Sequence, residues 1–232
     1  MNKITLVYAY FDNPNMLQRH LDEWEQYENK ELFEIIIVDD CSLYYPAKDV
    51  IRDVGIKIRL FSIITSIPWN QHGARNLAMF HAIGWCVLLD MDMLVTKDEA
   101  KVMNHIELNE KLIYGIDRRR VNYEKLPSHP NCFMMTSEMY KKIGGYDETF
   151  AGYYGSDKAF KIRLKRKKLN IEQSPFILTD YNGLLRDSTT KSLGRKNSKY
   201  DIRNNKWLHL RIYLAPRPKK QLNFEWVEVP LW

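Results

Sequence analysis

Two acids stand two residues apart inside an otherwise apolar run, Leu88-Leu89-Asp90-Met91-Asp92-Met93-Leu94-Val95. In a strand, positions i and i+2 face the same way, so the carboxylates of Asp90 and Asp92 would aim together. Two like charges beside a core need relief from water at a strand end or from a bound cation. Mg²⁺ or Mn²⁺ suits oxygen donors of this kind. A solvated turn after a buried strand also explains so short a pattern. The elements around the pair must decide.

Those elements alternate. Residues 4–10 read as a strand from their β-branched and aromatic content, and Asp12-Asn13-Pro14 then supplies a cap and a proline for a helix with Leu17, Leu21 and Trp24 at helical spacing. Residues 33–38 form a nearly continuous apolar strand that ends at Asp39-Asp40-Cys41-Ser42. A short helix is expected over 47–54, closed by Gly55, and a more exposed strand over 56–61. Residues 70–83 place Ala74, Leu77, Ala78 and His81 on one helical stripe with Arg75 near its start, and residues 85–89 are the strand that delivers the acids. This order predicts an α/β domain with a mainly parallel sheet. Ligands bind beyond the carboxyl ends of such strands, so the polar clusters at 8–12, 39–42 and 90–92 should gather at one edge.

Beyond Lys97 the pattern is less regular. Residues 112–116 and 132–136 read as strands, 137–143 as a short helix, and Arg118-Arg119-Arg120 with Pro127 and Pro130 as a loop. Ser156 can cap a helix over 157–168. Residues 181–206 are polar and basic, which predicts a mobile loop ordered by ligand. Residues 207–214 regain alternating apolar character, and the tail over 224–232 should dock back to cover its two tryptophans. No internal repeat is present.

Of 232 residues, 45% are hydrophobic, enough for a real core in one large domain or two small ones. Cys41, Cys86 and Cys132 are far apart, odd in number and lack CxxC spacing, which suggests neither a disulfide framework nor a zinc site and fits a reducing compartment. The six histidines show no HxxxH or HExxH spacing. With an opening too short for a signal peptide and no apolar stretch near eighteen residues, the expectation is a cytoplasmic protein without a membrane span. The net charge of +6 conceals an asymmetry: residues 158–220 hold 18 Lys/Arg against 4 Asp/Glu, while residues 1–157 hold 17 against 23. Such a basic segment implies an acidic partner, whether a phosphate-rich glycan, DNA or an anionic membrane surface, or else serves solubility.

Four segments in order resemble the nucleotide-sugar glycosyltransferases of the A-type fold, in particular the inverting family 2 and the galactosyltransferase C-terminal module. They are Val38-Asp39-Asp40-Cys41-Ser42, Gly73-Ala74-Arg75-Asn76, Leu89-Asp90-Met91-Asp92, and Gly144-Gly145-Tyr146-Asp147-Glu148-Thr149-Phe150 followed by Gly155-Ser156-Asp157 and Arg163. The resemblance covers residues 3–168 and implies a Rossmann-like single domain. Its nucleotide-sugar-binding half would span 1–95, its acceptor and catalytic half 96–180, and a basic loop and C-terminal extension 181–232. It implies that Asp40, with Asp39 beside it, reads the uracil of a UDP-sugar and that Tyr8 and Tyr10 line the base pocket. Arg75 would face the diphosphate. Asp92 would hold Mn²⁺ or Mg²⁺, with Asp90 as second ligand or ribose contact. Asp157 would be the general base on the acceptor, with Tyr154, Gly155 and Ser156 on the acceptor side.

Ser156 stands where the family commonly has a first acid. No histidine occurs at the strand where the family often supplies a further metal ligand; Thr179-Asp180-Tyr181 stands there, with Asp180 as a candidate substitute. A sugar-nucleotide nucleotidyltransferase is disfavoured because residues 8–13 contain no glycine. A module that binds nucleotide sugar without catalysis is the rival that Ser156 favours.

Overall fold

The computed structural model describes residues 3–181, 205–218 and 221–232. The expected loop over 181–206 therefore lies almost wholly outside the described residues. Strands β1 (Ile4–Tyr10), β2 (Phe33–Asp39), β3 (Lys57–Ile63) and β4 (Trp85–Leu89) run parallel in the order β3-β2-β1-β4. The sheet continues through β8 (Phe133–Thr136), β6 (Ile113–Arg120), β9 (Ile171–Asp180) and β5 (Met93–Leu94), with β7 (Lys125–Leu126) paired to β6. At the other edge β10 (Trp226–Val229) runs antiparallel to β3. The expected parallel core is present, and the second half of the sheet is mixed.

Alternation along β1 explains the layering. Ile4, Leu6, Tyr8 and Tyr10 join one core cluster with Leu17, Leu21 and Trp24 of α1 (Pro14–Trp24) and with Met103 of α3 (Lys97–Asn104). Val7 joins the other cluster, with Ala74 and Leu77 of α2 (Gln71–His81), Tyr140 of α4 (Ser137–Ile143), and Phe160 and Leu164 of α5 (Ser156–Arg166). The register sets Tyr10 opposite Asp39 and Tyr8 opposite Leu89. The carboxyl ends of β1, β2 and β4 thus lie level, and the polar segments after them share one edge.

Several elements differ from expectation. Over 47–54 only a 3₁₀ turn forms, Ala47–Asp49, with Ile51 N–H reaching the Ala47 carbonyl at 3.0 Å and no continuation. Arg118, Arg119 and Arg120 belong to β6 and not to a loop, because each has an acid at hand: Asp180 at 2.8 Å, Glu99 at 3.4 Å and Glu124 at 3.1 Å. Residues 207–214 lie in a helix, α6 (Lys206–Leu214), whose Asn205 side chain accepts from Leu208 N–H at 3.1 Å. Leu208 and Ile212, one turn apart, seat it on Phe150 and Ala159. The tail does dock: Trp226 meets Phe61 and His81 edge-on, with centroids 5.8 and 5.0 Å away. Trp232, however, remains 71% exposed.

Two predictions follow from the packing. Trp226→Ala should cost about 2 kcal/mol, since half-buried aromatic contacts are lost, and lower the thermal midpoint by several degrees. His20 and His72 are fully buried, and burial pulls both down to about 4. Below the unfolded value of about 6.5 the unfolded chain takes up protons that these two native side chains refuse, so stability falls from there toward pH 4. At pH 5 the loss should be on the order of 2 kcal/mol per group. Urea titrations at pH 7 and 5 measure it, and His20→Gln, which keeps an N–H donor and does not titrate, should shrink the difference.

Candidate active site

Asp90 follows β4 and meets α2. Arg75 Nη2 donates to Asp90 Oδ1 in a close ion pair, Gln71 Nε2 donates to the same oxygen at 3.0 Å, and His129 Nε2 lies 3.6 Å from Oδ2. Arg75 is only 1% exposed, and its guanidinium sits 5.2 Å from the centroid of Tyr146. Arg75, expected to face a diphosphate, is the buried counter-ion of Asp90. One acid of the pair is thereby compensated by protein, and Asp92, two residues on, stands half-buried with its carbonyl accepting from Tyr181 N–H at 2.9 Å.

The turn between the two acids is fixed from below. His20 Nε2 lies 2.8 Å from the Met91 carbonyl. A carbonyl only accepts, so His20 carries its proton on Nε2. His20 also packs on Tyr8 and Trp24, at 4.6 and 5.3 Å between centroids. Sequence reading missed His20, because 71 residues separate it from Met91 and no spacing pattern signals the contact.

On the uracil side, Asp39 is a turn former. Its two carboxylate oxygens accept from Ser42 N–H and Ala47 N–H, each at 2.8 Å, while burial pushes its carboxyl above the usual range. Asp40 is buried beside it, and its N–H donates to the Tyr10 carbonyl at 2.8 Å. Asp12 gathers the N–H groups of Leu43, Tyr44 and Tyr45, which binds the loops after β1 and β2 together. Tyr8 and Tyr10, expected at the base, have no exposed surface; Tyr8 lies in the core and Tyr10 Oη donates to the Tyr45 carbonyl at 2.6 Å. The exposed aromatics at this edge are Tyr44 and Tyr45, a pair that sequence reading passed over.

Asp157 lies in the first turn of α5, after Gly155 with φ +115°. Ser156, expected to cap this helix, makes no capping bond. Its Oγ lies 3.0 Å from His72 Nδ1, and His72 Nε2 lies 3.2 Å from the Phe150 carbonyl. The carbonyl again assigns the proton to Nε2, so Ser156 donates to Nδ1. Beside this pair, Trp69 takes a left-handed backbone at φ +46° and meets Tyr154 edge-on at 4.4 Å. Residues held in that region cost free energy and cluster at functional sites.

Asp180 ends β9 opposite Met93, so the fold carries it to the strand after Asp92, where Arg118 pairs with it at 2.8 Å. His129 reaches Asp90 from the stretch between β7 and β8, not from the downstream strand where a histidine was sought. Its Nδ1 accepts from Asn131 N–H at 3.3 Å, and burial, followed by Arg118, holds it down at about 3. The conspicuous Gly144–Phe150 motif is scaffolding: Asn76 Oδ1 accepts from Tyr146 N–H and Tyr140 Oη, and Asn76 Nδ2 donates to the Tyr146 carbonyl and to Glu148. Arg163 donates to the Gly145 carbonyl, and Asp147 accepts from Arg211 at 2.5 Å.

Among the described residues, no three His, Cys, Asp or Glu side chains converge into a cage for a metal ion. Mg²⁺ and Mn²⁺ are commonly held by one or two carboxylates and completed by substrate phosphates, and the carboxylate of Asp92, with the second oxygen of Asp90, is a donor set of that kind. No described helix is long and apolar enough to cross a membrane.

No curated protein matches the chain. Among solved structures, the mannosyltransferase PcManGT from Pyrobaculum calidifontis, in complex with GDP-Man and Mn²⁺, is 14% identical with a TM-score of 0.59, over 77% of this chain and 56% of that one. TarS of S. aureus, in complex with UDP-GlcNAc, is 14% identical with a TM-score of 0.62, over 76% and 58%. A Drosophila β1,4-galactosyltransferase 7 variant, in complex with manganese, UDP-Gal and xylobiose, is 13% identical with a TM-score of 0.56, over 95% and 82%. At these identities the likeness is one of fold, and this chain spans less than two thirds of the first two structures. The sequence profile of glycosyl transferase family 2 matches residues 5–187, and the chain belongs to that family.

Proposed function

We propose that this protein transfers a sugar from a UDP-sugar to an acceptor hydroxyl with inversion at the anomeric carbon, in a metal-dependent reaction. The observation that carries the reading is the acid pair after β4: it lies at the carboxyl edge of the parallel strands, with Asp90 compensated by buried Arg75. Asp40 serves the uracil, since both carboxylate oxygens of Asp39 are engaged by backbone N–H groups and Tyr8 and Tyr10 are buried. Asp92, with Asp90, would hold Mn²⁺ or Mg²⁺, which supplies charge neutralisation for the departing diphosphate.

Asp157 takes the proton from the acceptor hydroxyl. That oxygen bonds to the anomeric carbon from the face opposite the leaving group, and the bond to the diphosphate breaks with its electron pair leaving on UDP. One carboxylate is sufficient for this step. Ser156 and His72 act on it as positioning residues, because they pin the first turn of α5 to α2 and to the Phe150 carbonyl. Trp69 and Tyr154 offer an aromatic edge to a sugar ring. The xylobiose complex of the Drosophila enzyme supports a glycan acceptor. The basic residues of α5 keep a polyanionic glycan, or DNA bearing hydroxylated bases, in the panel to be tried.

With Mn²⁺ and a panel of UDP-sugars and glycans, UDP release should be measurable and should stop on chelation. Asp157→Asn should lower kcat by about 10²- to 10⁴-fold with little change in donor KM. Asp92→Asn should remove the response to Mn²⁺. Full activity in both variants would overturn the assignment, and donor binding by calorimetry without turnover on any acceptor would favour the binding module. His72→Ala should lower kcat about tenfold through misplacement of Asp157. His72→Gln, able to donate to the Phe150 carbonyl, should lose less, whereas equal losses would assign His72 a merely structural part.

A further inference from the structure

Helix α6 is apolar on more than one side. Leu208 and Ile212 face the core, and on the outer side Trp207, Leu210, Tyr213 and Leu214 are each 50–57% exposed. A helix apolar all round is ordinarily buried, and large apolar side chains grouped on an exposed stripe mark an interaction surface. The surroundings of this stripe are cationic. The Lys158 ammonium lies 5.0 Å from the Tyr213 centroid, while Arg211, whose guanidinium is 5.0 Å from that of Trp207, is balanced by Asp147. Arg166 donates to the carbonyls of Tyr213 and Leu214, so α5 and α6 are locked side by side. Lys165, Lys167 and Lys168 of the adjoining chain are exposed as well. Among the described residues, none of these three lysines has an acid within salt-bridge distance, in contrast to Arg118, Arg119 and Arg120.

We propose that the outer face of α6, together with the basic surface of α5, docks on an anionic phospholipid surface. Trp207, Leu210 and Leu214 enter the headgroup boundary, and the exposed lysines with Arg166 meet the lipid phosphates. Charge complementarity selects this occupant. A second copy of the chain would bring the same positive charge to the contact, and a nucleic acid offers phosphates but nothing for two leucines. Asp157 shares the first turn of α5 with Lys158, so docking would carry that helix to the lipid surface.

Vesicle flotation of the full chain tests the proposal by lipid binding alone, independently of sugar transfer. The protein should float with phosphatidylcholine vesicles containing about 30% phosphatidylserine, stay behind with pure phosphatidylcholine, and be released as salt rises. Trp207→Glu combined with Leu210→Glu should weaken binding at least about tenfold, and Lys165→Glu with Lys167→Glu should do likewise. All four side chains are exposed, so thermal midpoints should stay unchanged, which separates lost docking from lost folding. Failure to float with anionic vesicles at low salt, equal flotation with neutral ones, or indifference to the apolar substitutions would overturn the proposal. So would a dimer or a duplex DNA complex that the same substitutions abolish in the absence of vesicle binding.

Discussion

The buried ion pair between Arg75 and Asp90 is the constraint on which the site rests. A guanidinium with 1% exposure is tolerable only with a partner, since an uncompensated buried charge costs several kcal/mol. The partner is the first acid of the turn after β4, and the face of Tyr146 supplies a second attraction. Three segments far apart in sequence, α2, the acid turn and the glycine-rich motif, must therefore close on one point. Asn76, one residue beyond Arg75, repeats the clamp with hydrogen bonds to Tyr140, Tyr146 and Glu148. The pairing also distinguishes two acids of like type: Asp90 is balanced by a buried guanidinium, and Asp92 stands half-buried two residues on.

The same logic sorts the cations. Read as sequence, Arg118-Arg119-Arg120 and the basic stretch after Asp157 look alike. In the fold the first run is internal accounting of charge, each arginine facing an acid across β6 and its neighbours. Among the described residues, lysines along α5 have no such acids, and they give the surface its field. Net charge alone could not separate these cases, because pairing depends on which strands lie side by side.

Legibility followed the range of the interactions. Strand alternation and helical stripes depend on neighbours within four residues, and the order of β1, α1, β2, β3, α2 and β4 could be read directly. The level carboxyl ends of β1, β2 and β4 followed from topology. Burial at those ends could not be read: alternation sets Tyr8 and Tyr10 on one face of β1 but does not tell that α1 covers that face up to Tyr10. Helix α6 was not legible because its sequence is apolar at both strand and helix periods, and the contact of Leu208 and Ile212 with Phe150 selects the helix. His20 and His72 join residues 71 and 84 positions away, a separation at which no motif survives.

Those histidines show how such a site can be stiff without adding charge to it. In each, a backbone carbonyl accepts a hydrogen bond from Nε2–H, and burial keeps the ring neutral. His20 thereby fixes the acid turn and His72 the start of α5, and neither contributes a field of its own. Charged tethers in those places would either repel or neutralise the carboxylates they position. Neutral donors leave the electrostatics of the edge to a few groups: the compensated pair of Arg75 and Asp90, the pair of Arg118 and Asp180, and the carboxylates of Asp92 and Asp157. Acids gathered at one edge in this way repel a polyanion, and a divalent cation is the usual relief of such repulsion, which is the physical ground for the metal-dependent reaction proposed above.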